Sequence, residues 1–187
     1  MPSIFLAQPL PHVAGFTWTP ASRLREVITD LESWIGPRDS SFTILGVELV
    51  DGPPRIWFPG GSKDIVIQLS AIHAENPTLA YWQLAHECVH LLSPVVAGDG
   101  STLEEGLATD FAEHYARTRL GLAQVPQEAA YASAQSLVQR AEAHQPGFSR
   151  SVYATFGRLS KLAPSEVVNI APSVPADVVD GLCAPFR

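Results

Sequence analysis

His86-Glu87-Cys88-Val89-His90 carries two imidazoles four residues apart, with a carboxylate next to the first. On an α-helix, residues four apart share one face about one turn apart, so both rings can reach the same cation. Glu87 sits about 100° round from His86, near enough to hold a water on that cation and accept its proton. This H-E-x-x-H spacing is the one in which a helix supplies two zinc ligands and a general base. A catalytic zinc commonly takes three protein ligands and leaves a position for water, so a His, Asp or Glu must return to the site from elsewhere in the chain.

Ser101-Thr102-Leu103-Glu104 reads as a capping box opening a helix, which assigns the Glu104 side chain to its own cap. Glu105 lies about 100° further round, on the face of Ala108, Thr109, Ala112 and Ala116, a small-residue stripe suited to close packing on the histidine helix. Glu105 is therefore the expected third ligand, with Asp99 in the preceding loop and Asp110, about 140° round from Glu105, as alternatives. A third histidine in the spacing H-E-x-x-H-x-x-G-x-x-H is excluded, because Ser93 and Val96 occupy the glycine and histidine positions. A donor to a developing oxyanion is also needed, and His114, Tyr81, Tyr115, Tyr131 and Tyr153 qualify by chemistry. Cys88, about 200° from His86, is expected to be a small core residue, and Trp82 to pack in the core one turn before His86. His12, His73 and His144 read as surface or loop residues.

The elements that must position these groups follow from periodicity and punctuation. Leu24, Val27, Ile28, Leu31 and Ile35 recur at helical spacing between Pro20 and Gly36-Pro37. Three apolar runs, Phe42 to Val50, Arg55 to Phe58 and Asp64 to Ser70, are separated by Pro/Gly-rich turns and predict a small, mostly antiparallel sheet built from hairpins. In the last run Ile65, Ile67 and Leu69 alternate with more polar positions, so one face meets the core. Its other face either borders the cleft as an edge strand that pairs an extended peptide, or is simply solvated on a strand paired on both sides. Asn76-Pro77 caps the histidine helix, and Ser93-Pro94 ends its apolar pattern. Helices are expected from Ser101 to about Leu120, from Pro126 to His144, and over Phe148 to Leu159, Pro164 to Ile170 and Pro175 to Cys183.

At 187 residues and 46% hydrophobic composition, the chain suits one domain, 1–187. Its parts are an arm, helix and sheet (1–75), a zinc-binding helical hairpin (76–120) and a C-terminal helical part (121–187). A net charge of −7 without a basic block argues against a nucleic-acid surface. Two cysteines cannot form a disulfide framework, no apolar run approaches a spanning length, and the N-terminus lacks a basic leader, so a reduced, cytoplasmic setting without membrane contact is expected.

Trp82-Gln83-Leu84-Ala85-His86-Glu87 to Leu91-Leu92, followed by Glu105-Gly106-Leu107-Ala108-Thr109-Asp110-Phe111-Ala112, resembles the gluzincin metallopeptidases, and among them the ImmA/IrrE-type endopeptidases. That family shows an aromatic, two residues and Ala before H-E-x-x-H, then E-x-x-A-N-x-F-A. The resemblance implies a zincin-like α+β fold, His86, His90 and Glu105 as Zn²⁺ ligands and Glu87 as catalytic acid/base. Thr109 stands where the family has Asn, Cys88-Val89 replace its commoner Leu-Gly, and no helix-turn-helix segment precedes the site. The expected activity is that of a zinc-dependent peptidase, most simply an endopeptidase acting on a peptide or protein. The alternative is a catalytically weak zinc-bearing pseudo-protease that serves as a protein-binding or regulatory module.

Overall fold

A computed structural model describes residues 4–61, 63–95, 100–122 and 128–187. The chain runs α1 (Pro20–Trp34), β1 (Thr43–Val50), β2 (Arg55–Trp57), β3 (Asp64–Ser70), α2 (Pro77–Val89), α3 (Thr102–Arg119), α4 (Ala129–His144), α5 (Phe148–Phe156), α6 (Pro164–Ile170) and α7 (Ala176–Cys183). The class is α+β, with seven α-helices and one three-stranded sheet among the described residues.

Helix starts follow local chemistry. Thr19 and Ser22 cap α1 reciprocally, with Pro20 at its first position. The Asn76 side chain accepts from Leu79 N–H at 3.2 Å to open α2, and the Ser101 hydroxyl accepts from Glu104 N–H at 3.2 Å to open α3.

The sheet corrects one expectation and decides between two readings that the sequence leaves open. Its order is β1-β3-β2, with β3 parallel to β1 and antiparallel to β2, so it is mixed and not mostly antiparallel. β3 is also the central strand and leaves no edge for a peptide. The reason is burial: Ile65, Ile67 and Leu69 are fully buried, and the most apolar strand takes the middle. β2, three residues long with Arg55 and Trp57 exposed, is left as an edge.

α2 is the centre of the molecule. Ala80, Tyr81, Leu84, Ala85, Cys88 and Val89 are buried together with the polar Gln83, His86 and Glu87, so the helix is enclosed on every side. A helix with no solvent face lies inside a domain, and α1, α3 and β3 pack around this one. Two imidazoles and a carboxyl are thereby carried into the interior, where polar groups need partners. Among the described residues no helix is long and apolar enough to cross a membrane.

α3 is clamped between α2 and α4. A Cβ built on Gly106 would lie 2.4 Å from the Ala134 carbonyl oxygen and 2.9 Å from Val138 Cγ2, so only glycine lets α4 approach this closely. Gly106→Ala is expected to lower stability by roughly 1–3 kcal/mol through overpacking, despite the gain in helix propensity. Urea denaturation of the metal-free protein measures it, and unchanged or increased stability would show that α4 can move aside.

Candidate metal centre

His86 and His90 project from the end of α2 toward Glu105 in the first turn of α3. His86 Nε2 lies 3.2 Å from Glu105 Oε2, and His90 Nε2 lies 3.8 Å from Glu105 Oε1. One donor atom from each of the three residues falls within 4.8 Å of the others. Two imidazole nitrogens and a carboxylate converging at this spacing form a group that could hold a metal ion. Gly100 permits the approach of α3, since a Cβ there would lie 3.2 Å from Glu105 Oε1.

The tautomer of His90 is set by the neighbouring glutamate. His90 Nδ1 lies 2.9 Å from Glu104 Oε1, and an ionised carboxylate can only accept, so Nδ1 carries the proton and Nε2 is left to face Glu105. Glu104 is fully buried and is held on its other oxygen by the Ser160 hydroxyl, which donates to Oε2. The capping box is thus only half formed. Glu104 N–H bonds the cap, but its carboxylate orients a histidine instead. This is the functional residue that sequence reasoning missed. The signal available was the Glu104-Glu105 doublet itself, because two carboxylates in one turn can serve two atoms of one site. Ser160 left no such trace, lying 56 residues from its partner.

The C-terminal segment braces this corner. Thr102 N–H donates to Ala184 O at 2.9 Å, Phe186 N–H donates to Gly100 O at 3.2 Å, and the Ser101 hydroxyl donates to Leu159 O at 2.9 Å. His86 Nδ1 is buried without a hydrogen-bond partner among the described residues.

Burial pushes the Glu87 carboxyl above the ordinary glutamate range, reinforced by the charges of Glu105 and Glu104 and opposed by His90 and His86. Such a carboxyl is suited to both taking and returning a proton. For His90, burial disfavours the charged ring, but the Glu104 hydrogen bond and the surrounding carboxylates outweigh it and raise its pKa to about 10. For Glu105, burial acts upward, and the His86 hydrogen bond and both histidine charges bring it below the ordinary value. Because His90 holds its proton more tightly folded than unfolded, that proton stabilises the metal-free protein fully below about pH 6.5, and the contribution is lost as pH rises through about 10.

With Nδ1–H kept on Glu104, a metal at His90 Nε2 must displace the ring's second proton, the one whose pKa is raised to about 10, so metal affinity is expected to rise about tenfold per pH unit between pH 6.5 and 9. Glu104→Gln is expected to weaken zinc binding by roughly 10–100-fold and to flatten that pH dependence. Competition with a chromophoric chelator across the pH range reads both effects; unchanged affinity would remove Glu104 from the site.

The centre opens into a cavity of about 420 Å³. Glu87, Tyr131 and Trp82 line it, with the Tyr131 ring centroid 5.6 Å from that of His86 and the Trp82 ring likewise 5.6 Å away. Trp82 is thus a wall of the cavity and more than core packing. His73, expected at the surface, also lines it, whereas His12 and His144 are exposed. Cys88 is fully buried and its thiol is pushed up by burial, as befits an inert core residue.

The alternatives for the third ligand do not join the cluster. Asp110 accepts from Gln135 at 3.0 Å and Gln139 at 2.7 Å and so ties α3 to α4, while Asp99 lies outside the described residues. The oxyanion candidates separate equally cleanly. Tyr81 donates to Trp18 O, Tyr115 to Glu26, and Tyr153 to Pro37 O and Leu92 O, while His114 stacks on Trp34. Tyr131 alone of the five lines the cavity.

No family model, curated protein or solved structure matches the chain.

Proposed function

We propose that the protein is a zinc-dependent peptidase of the HExxH…E gluzincin type, with a zincin-like fold most similar to the ImmA/IrrE-type endopeptidases. The observation that carries this reading is the convergence of His86, His90 and Glu105 beside the buried carboxyl of Glu87, at the wall of an open cavity. A nitrogen-rich set of two imidazoles and one carboxylate suits zinc above the hard, oxygen-seeking cations.

His86 and His90 would hold the ion through Nε2 and Glu105 through its carboxylate, with Glu104 fixing the His90 ring. When bound, zinc supplies a water of lowered pKa and polarises the scissile carbonyl. Glu87 would accept a proton from the attacking water and return it to the departing amine nitrogen, so one carboxyl would serve as base and then acid. The Tyr131 hydroxyl donates to the carbonyl oxygen as negative charge gathers there.

Two measurements test the reading together. Purified protein is expected to carry one zinc per chain and to cleave a mixed-sequence peptide library, with cleavage lost on chelation and restored by stoichiometric zinc. Zinc binding without cleavage of any peptide would favour the regulatory module instead, and failure to bind zinc would sink both.

A further inference from the structure

The wall of the cavity opposite α3 and α4 carries hydrogen-bond donors that nothing in the metal centre uses. Arg55, on the edge strand β2, is the one Lys or Arg among the described residues lining the cavity. Among the described residues its guanidinium makes one hydrogen bond: Nε donates to Gln68 Oε1 at 2.6 Å, and Gln68 Nε2 donates in turn to Glu48 Oε1 at 2.6 Å. That relay crosses the whole sheet, since Arg55 and Glu48 are both register partners of Gln68 on β3. It holds the Arg55 stem in place and leaves the terminal NH₂ groups, the fork that matches a carboxylate, uncommitted.

One further donor lines the same wall. Gln83 is buried and uses its amide oxygen to accept from Ser70 N–H at 3.1 Å, which leaves its NH₂ as donor. Trp82 Nε1 is buried with no hydrogen-bond partner among the described residues. That nitrogen is closed to solvent, so Trp82 contributes its ring to the wall and not a donor. On the other side, Glu104 and Glu105 are occupied with the histidines, and Glu128 lines the cavity beside Tyr131. The cavity thus sets Arg55 and the Gln83 amide, beside apolar Pro53, Pro54 and Ile56, against the carboxyls of Glu87, Glu104, Glu105 and Glu128.

We propose that the β2–α2 wall is a subsite for a substrate carboxylate, bound by the Arg55 guanidinium with help from Gln83. It rests on the peptidase reading above and narrows it to peptides that place an acidic side chain or a free C-terminus on this side of the scissile bond. The overall charge of −7 does not oppose this, because repulsion from distant surface groups is screened beyond about 8 Å at physiological salt, whereas the fork acts at contact. Charge-assisted pairs of this kind discriminate against the neutral isostere by roughly 10–100-fold.

The probes are acetyl-trialanine as the free acid and as the amide, and acetyl-Ala-Glu-Ala amide beside its Gln counterpart. Binding to zinc-loaded Glu87→Gln protein is followed through the Trp82 indole N–H resonance, so turnover is not required. At least one carboxylate form is expected to bind roughly tenfold or more tightly than its neutral partner, and which form does so identifies the C-terminal or the side-chain source. Arg55→Gln, at an exposed edge position, is expected to erase that preference and leave amide binding unchanged. Equal binding of acid and neutral forms, absence of binding by both carboxylate forms, or a preference that survives Arg55→Gln overturns the proposal. Failure of the peptidase reading shows separately, as a carboxylate preference in a zinc-loaded parent that cleaves none of the library.

Discussion

The Glu87→Gln protein is expected to bind zinc with the parent's stoichiometry and to lose turnover by roughly 10²–10⁴-fold, the range a positioned general base contributes. The substitution keeps the volume of a side chain only 3% exposed, so packing in α2 is retained. What disappears is a carboxyl that burial holds above its ordinary range, and with it the capacity to take a proton and return it. Zinc content measured beside kcat separates the outcomes. Loss of both would make Glu87 a ligand, and full retention of turnover would refute its assigned role.

Tyr131→Phe is expected to lower kcat by roughly 10²–10³-fold with little change in KM, because its hydroxyl is asked to act only when charge develops on the carbonyl oxygen. Burial, with the charges of Glu105, Glu87 and Glu128 adding to it, pushes the phenol up to about 12, so it remains a donor throughout the working pH range. The ring would stay in place, packed against His86 and against Phe186 at 4.8 Å between centroids. A tetrahedral phosphonamidate inhibitor should weaken in parallel with kcat, whereas a substrate-like amide should not. Parallel loss of both would indicate a packing role instead.

Much of this site was legible from spacing alone, because the rules involved are local. Histidines four apart share a helical face wherever the helix goes, and Ser101 fixes where the next helix begins, which separates Glu104 from Glu105. The partition of duties between the two glutamates was read half correctly. A local rule gave Glu104 to the cap, and a long-range partner, Ser160, together with His90, claimed its carboxylate. The sheet failed for the same kind of reason. Alternation in Asp64–Ser70 identifies the buried face of β3, but whether the strand lies at the edge or in the centre depends on which neighbours it gains. Tyr131 could be separated from the four other candidate donors only once their partners, up to 116 residues away in sequence, were known.

The brace between the two ends of the α3–α7 region sets an order of events. A nascent chain exposes both histidines and both glutamates long before it contains Ser160, which completes Glu104, or Ala184, whose carbonyl receives Thr102 from 82 residues away. Until those segments arrive, the Glu104 carboxylate lacks its Ser160 donor and Thr102 lacks its brace to Ala184, so the ligands are present without the contacts that orient them. Competence to hold metal is therefore acquired only after Ser160 and Ala184 have been made, well after the ligands themselves. For a molecule proposed to cut polypeptides, that timing withholds the blade until the handle is finished.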